Sequence, residues 1–150
     1  MSDLYDIDVV EWSERQAHLL RALAARQPSN EAPDWDNIIE EVESVGRSQV
    51  DAVESLLTNA LLHDLKAQAW PDARDVASWE GEARLFRSQA RRKLTPSMRT
   101  KIAVGDLFDD AVKGLPKTMY DRLPVALALV IEKVRPKDLD DALTDREETL

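Results

Sequence analysis

The sequence contains no cysteine in 150 residues, which excludes disulfides, thiolate metal sites and a cysteine nucleophile. Glycine is scarce, at four residues, and none belongs to a phosphate-cradling loop. The Gly-x-Ser-x-Gly and Ser-x-x-Lys patterns of hydrolases are also missing. Only two histidines are present, and no Glu-x-x-His pair exists, since Ala60 stands three residues before His63. These absences imply no metal and no cofactor. No apolar run is long. The longest, Pro124 to Ile131, falls far short of the roughly 20 residues of a membrane span. The opening residues, MSDLYDIDVVEW, do not form the basic-then-apolar pattern of a signal peptide. A cytoplasmic protein with no membrane association is the expectation. β-branched residues do not alternate, and no Asn-Gly or Asp-Gly hairpin turn occurs.

What is present is helical patterning and uneven charge. Hydrophobic residues make up 43% and charged residues 33%, a balance suited to one globular domain spanning residues 1–150. The net charge is −9. Residues 1–60 hold 13 acids against 4 bases, whereas Ala83 to Gly105 has no acid and seven cations.

The spacing predicts an all-α bundle of five or six helices. The first starts at Asp8, which can cap it, with Glu11 three residues on. It fades near Arg26, and residues 27–33 read as a loop. A long second helix runs from about Asp34 to about Trp70. Ile38, Ile39, Val42, Val45, Gln49, Val53, Leu56, Leu57 and Ala60 share one arc of it. After Leu56 the opposite face turns apolar as well, so the second half reads as a core pillar. Gly46 costs up to about 1 kcal/mol against Ala and need not stop the helix, though it is where a kink or break would fall. A third helix runs from about Val76 to Lys93 with a Trp79, Ala83, Phe86, Ala90, Leu94 stripe. Thr95-Pro96 opens a fourth, which carries Met98, Ile102, Phe108, Ala111 and Val112 and stops at Gly114. A fifth spans Leu123 to about Val134 and should pack into the bundle. Residues 138–144 allow one more short turn, and the tail 145–150 frays.

Several blocks carry a resemblance. They are Asp8-(x)3-Trp12-(x)3-Gln16, Trp35-Asp-Asn-Ile-Ile-Glu-Glu-Val-Glu-Ser-Val-Gly-Arg-Ser48, Leu61-Leu-His-Asp-Leu-Lys66 and Ser78-Trp79. Together with Thr95-Pro96-Ser97 they resemble the bacterial family called domain of unknown function 29, over about residues 6–102. The chain departs from that family at Leu56 and Glu80, where arginine is common, and at Ala67, where an aromatic is usual. Residues 103–150 diverge. The resemblance implies an all-helical fold and no assigned activity.

Three constellations stand out. Glu40, Glu43 and Arg47 share the helix face opposite the apolar arc. They read either as an ion-paired solvated face or as carboxylates for a cation or acid–base chemistry. Glu41 lies at the edge of the core and, if buried, would need Arg15 or Arg21. His63 falls on the apolar side near Lys66 and reads more readily as a hydrogen-bonded core residue than as a ligand. Twenty-three residues of straight helix put Glu40 and His63 about 35 Å apart, too far for one site. Arg84, Arg87, Arg91 and Arg92 are expected on the outward side of the third helix, as a phosphate-binding face or as the complement of acidic surface. His18 reads as surface or boundary.

The leading expectation is a non-enzymatic protein-interaction module, binding a protein partner or forming a homodimer. A hydrolase or nuclease using Glu40, Glu43 and Arg47 or His63 and Lys66 is the alternative. Nucleic-acid binding through the third helix is a further one, and the net negative charge disfavours it.

Overall fold

The computed structural model describes residues 3–26 and 32–146. Among these, the only secondary structure besides helix is turns and one isolated bridge, between Met119 and Arg122. The helices are α1 (Leu4–Ile7), α2 (Val9–Ala25), α3 (Trp35–Ala69), α4 (Val76–Lys93), α5 (Val104–Lys113), α6 (Leu127–Val134) and α7 (Leu139–Leu143), with a 3₁₀ turn at Pro96–Thr100. The all-α expectation holds, and the count roughly fits. The short α1 is the element the sequence pattern missed. No helix among the described residues is long and apolar enough to cross a membrane.

The chain forms two compact units. The first is Met1–Ala52 with Leu94–Lys101; the second is Val53–Lys93 with Ile102–Leu150. Helix α3 contributes to both, unbroken at Gly46. Asp34 lies just outside it and its carbonyl accepts from Ile38 N–H at 3.0 Å.

In the first unit, Asp8 ends α1 and caps α2, its carboxylate accepting from Glu11 N–H at 3.0 Å. The same carboxylate accepts from the Ser97 amide at 2.7 Å and the Ser97 hydroxyl at 2.8 Å. One buried acid therefore caps a helix and fastens the 3₁₀ turn beside it. Helices α2 and α3 pack antiparallel through small residues. Ser13 is buried and sits directly against Gly46, where any Cβ would collide with its hydroxyl. Gly46 is thus a point of close approach rather than a kink.

In the second unit, Leu57, Ala60, Leu61 and Leu65 of α3 are fully buried. Leu61, Leu65, Trp70, Trp79, Phe108, Val130 and Val134 belong to one continuous core cluster. The expected pillar is there, buried on more than one side.

Two expected elements differ. The fourth helix is divided into the 3₁₀ turn and α5, because Ala103 between them is extended. The fifth begins at Leu127, not Leu123. Ala126 is left-handed (φ 45°), which interrupts a right-handed helix, and Val125 N–H donates to Ala69 O at 2.9 Å. Upstream, Tyr120 and Asp121 are also left-handed and form a tight turn closed by mutual Met119–Arg122 backbone bonds. Leu123 and Val125 are consequently exposed. Of the loop expected at 27–33, residues 27–31 lie outside the described residues, as do residues 147–150 of the tail.

Candidate functional site

Three clusters hold the residues singled out from the sequence. The first is on the first unit. Arg47 pairs with Glu40, and lies 3.7 Å from Glu43 one turn away. Glu43 also pairs with Arg21 of α2. Glu41, not Glu43, was the carboxylate expected to meet α2, but Glu41 is exposed. Arg15 instead pairs with Glu11 on its own helix at 2.9 Å. Lys101 and Glu14 form a further pair. The Glu-Glu-x-Glu-x-x-Gly-Arg segment therefore works as a helix-pairing device. Gly46 admits α2 at close range, and Glu43 ties the two helices at the rim through Arg21 of α2. Each such exposed pair contributes about 0.2–1 kcal/mol. Among the described residues, no group of three or more histidines or acids could hold a metal ion.

The second cluster surrounds His63. Its Nε2 lies 2.7 Å from Glu82 of α4, and its ring is 5.5 Å from that of Phe86. Its Nδ1 is buried without a hydrogen-bond partner. Burial disfavours the imidazolium and lowers the His63 pKa below 6.5. Lys66 acts in the same sense, while Glu82 and Asp64 oppose it. Lys66 thus acts on His63 through its charge. Glu40, Glu43 and Arg47 belong to the first unit and His63 and Lys66 to the second.

The third cluster changes the reading of α4. Arg84, Arg91 and Arg92 are exposed, as expected, but Arg87 is not on the outward side: it is 1% exposed. Its guanidinium grips Asp64 of α3 at 3.2 and 2.5 Å, and its Nε donates to Ala142 O at 2.8 Å. Arg91 donates to Leu143 O at 2.6 Å. Two arginines of α4 thus satisfy carbonyls at the end of α7, where a helix leaves acceptors and partial negative charge. Arg146 donates to Val134 O at 2.6 Å and lies 3.7 Å from Asp64. A cleft of about 210 Å³ opens here, lined by Arg84, Arg87, Lys133 and Arg146 together with Asp64 and Glu80.

Charge alone would place Arg87 in solvent. Its spacing gives the signal: it stands four residues after Ala83 and three before Ala90, both buried. Asp64 is likewise flanked along α3 by Ala60 and Leu61. An acid and a base, each set in a core stripe of a different helix, are partners in waiting.

The family model described as Domain of unknown function DUF29 matches residues 4–136, extending well beyond the motif-bearing part. Among curated proteins, none matches the sequence. A crystal structure of an alpha-helical protein of unknown function from Rhodospirillum rubrum is similar in fold, with a TM-score of 0.65 at 24% identity. The alignment covers 91% of this chain and 100% of that one.

Proposed function

The chain belongs to the Domain of unknown function DUF29 family, and from that premise we propose that it is a protein-interaction module that pairs with a second copy of itself through the first unit. One observation carries this reading. Among the described residues, the first unit buries four hydrophobic side chains, Val10, Ala17, Ile39 and Met98. It leaves six large ones exposed: Tyr5, Ile7, Leu19, Leu23, Ile38 and Val45. A single exposed leucine means little, but six large apolar side chains exposed on one small unit offer a surface to be covered.

Helix α2 explains the imbalance. Val10, Ser13 and Ala17 face α3 and are buried. At about 100° per residue, Trp12, Arg15, Leu19, Leu23 and Arg26 fall on the opposite side. Tyr5 stacks edge-on against Trp12 at 4.9 Å, adding an aromatic pair to that line. Aromatic and arginine side chains together suit an interface core.

Charge selects the occupant. The Leu19–Leu23 line of α2 runs between Arg26 and Arg15, the latter shared with Glu11. The Ile38–Val45 line of α3 is flanked by Asp34 and Glu41. In a two-fold arrangement, α2 of each copy meets α3 of the other, and bases face acids twice. Sedimentation equilibrium tests this. The protein sediments as a dimer, and the Leu19→Glu, Leu23→Glu double variant sediments as a monomer with unchanged helicity. A monomeric wild type, or a variant that dimerises equally well, overturns the proposal.

A further inference from the structure

The cleft between α4, α6 and the segment after α7 carries a separate inference, independent of self-association. Its lining brings four cations, Arg84, Arg87, Lys133 and Arg146, together with two carboxylates, Asp64 and Glu80. In a protein of net charge −9, such a local surplus of positive charge needs a reason. Asp64 is gripped by Arg87, with Arg146 farther off at 3.7 Å. The bidentate grip uses one N–H from each terminal nitrogen, and Nε is spent on Ala142 O. Three of the five donors of this guanidinium are thereby engaged, and the side chain is locked in place.

Arg146 supplies the second observation. Its Nε is buried and has no hydrogen-bond partner. The nearest carboxylate, Asp64, is 3.7 Å away, too far for a hydrogen bond. Its Nη2 is spent on Val134 O, and Asp64 is already gripped by Arg87, so Arg146 adds positive charge to the cleft lining that an anionic ligand can answer. Lys133 donates to Gln68 at 3.3 Å, a long bond that leaves its ammonium at the rim of the same cleft.

We propose that this cleft binds a small oxyanion of the phosphate class. The volume of about 210 Å³ equals roughly seven waters at ~30 Å³ each. That accommodates an inorganic phosphate or the phosphoryl end of a larger molecule. Guanidinium groups match phosphate oxygens in pairs, and the lysine adds a point charge.

The test is calorimetric titration of the full chain with inorganic phosphate and, separately, with a simple phosphomonoester, with chloride at equal ionic strength as control. Melting temperature is followed in parallel. Phosphate binds saturably and raises the melting temperature where chloride does not. Lys133→Ala and Arg146→Gln, which leave the Asp64–Arg87 pair intact, each weaken binding at least about fivefold. Tighter binding of the ester assigns the cleft to a phosphoryl-bearing ligand, and tighter binding of the free ion assigns it to phosphate itself. If neither ligand does more than chloride, or if both variants bind as the wild type does, the proposal is overturned.

Discussion

Ser13 occupies the space that a side chain on Gly46 would need, so the closest approach of α2 and α3 depends on the absence of a Cβ. Gly46→Ala therefore lowers stability. Helix propensity alone would return up to about 1 kcal/mol, but forcing a methyl against the buried Ser13 costs about 1–3 kcal/mol. Adding Ser13→Ala removes the colliding oxygen and leaves only an ordinary contact to Cβ. Urea unfolding of both single variants and the double variant checks this. The double variant is more stable than Gly46→Ala alone.

Asp64 and Arg87 form a buried pair, at 8% and 1% exposure. Asp64→Ala strands the guanidinium and costs about 3–5 kcal/mol. The Asp64→Leu, Arg87→Met double variant costs less than either single loss, because no charge is left uncompensated. Chemical denaturation measures all three. Equal losses across the set would show that packing, not charge, dominates the site.

Acid acts on the two units through different groups. In the second, His63 has its folded pKa below 6.5, chiefly through burial. As pH falls through 6.5 the unfolded chain takes up the proton first, so stability declines until the folded pKa is passed and is level below it. His63→Gln flattens that slope. In the first unit, burial pushes the Asp8 carboxyl upward. The N–H groups of Glu11 and Ser97 and the hydroxyls of Ser97 and Thr95 outweigh it, for a net lowering below 3.8. Its contribution is present above pH 3.8 and is lost as pH falls through the lower folded pKa. Asp8→Asn removes that second decline. Thermal melts across the pH range resolve both.

Ala126 begins α6 in a left-handed conformation (φ 45°). For a residue with a Cβ this costs about 1–2 kcal/mol. Ala126→Gly therefore stabilises the protein by up to about 1 kcal/mol, visible as a raised melting temperature. A drop would mean that the entropy glycine adds to the unfolded chain outweighs the relief.

Local signals were read where they act locally. The Asp8–Glu11 cap, the ends of α3 and both ends of α4 follow from capping, proline and periodicity within a few residues. The start of α6 is not legible locally: Ala126 is left-handed, and Val125 N–H is held by Ala69 O, 56 residues back. The Tyr120–Asp121 turn lacks the glycine or asparagine that advertises left-handed backbone. At the candidate sites, residue types were legible and partners were not. Glu43 meets Arg21, His63 meets Glu82 and Arg87 meets Asp64 only once the helices are packed. Charge alone placed Arg87 in solvent, and the pairing that buries it is a tertiary fact.

The natural absence of cysteine offers the most direct test of self-association through the first unit. Leu19→Cys and Ile38→Cys each introduce one thiol, on α2 and α3. Mixed under mild oxidation, the two variants form a disulfide-linked heterodimer faster than either alone, because α2 of one copy lies on α3 of the other. Cross-linking no faster than that of an Asp106→Cys control, on an exposed position of the second unit, would contradict the account.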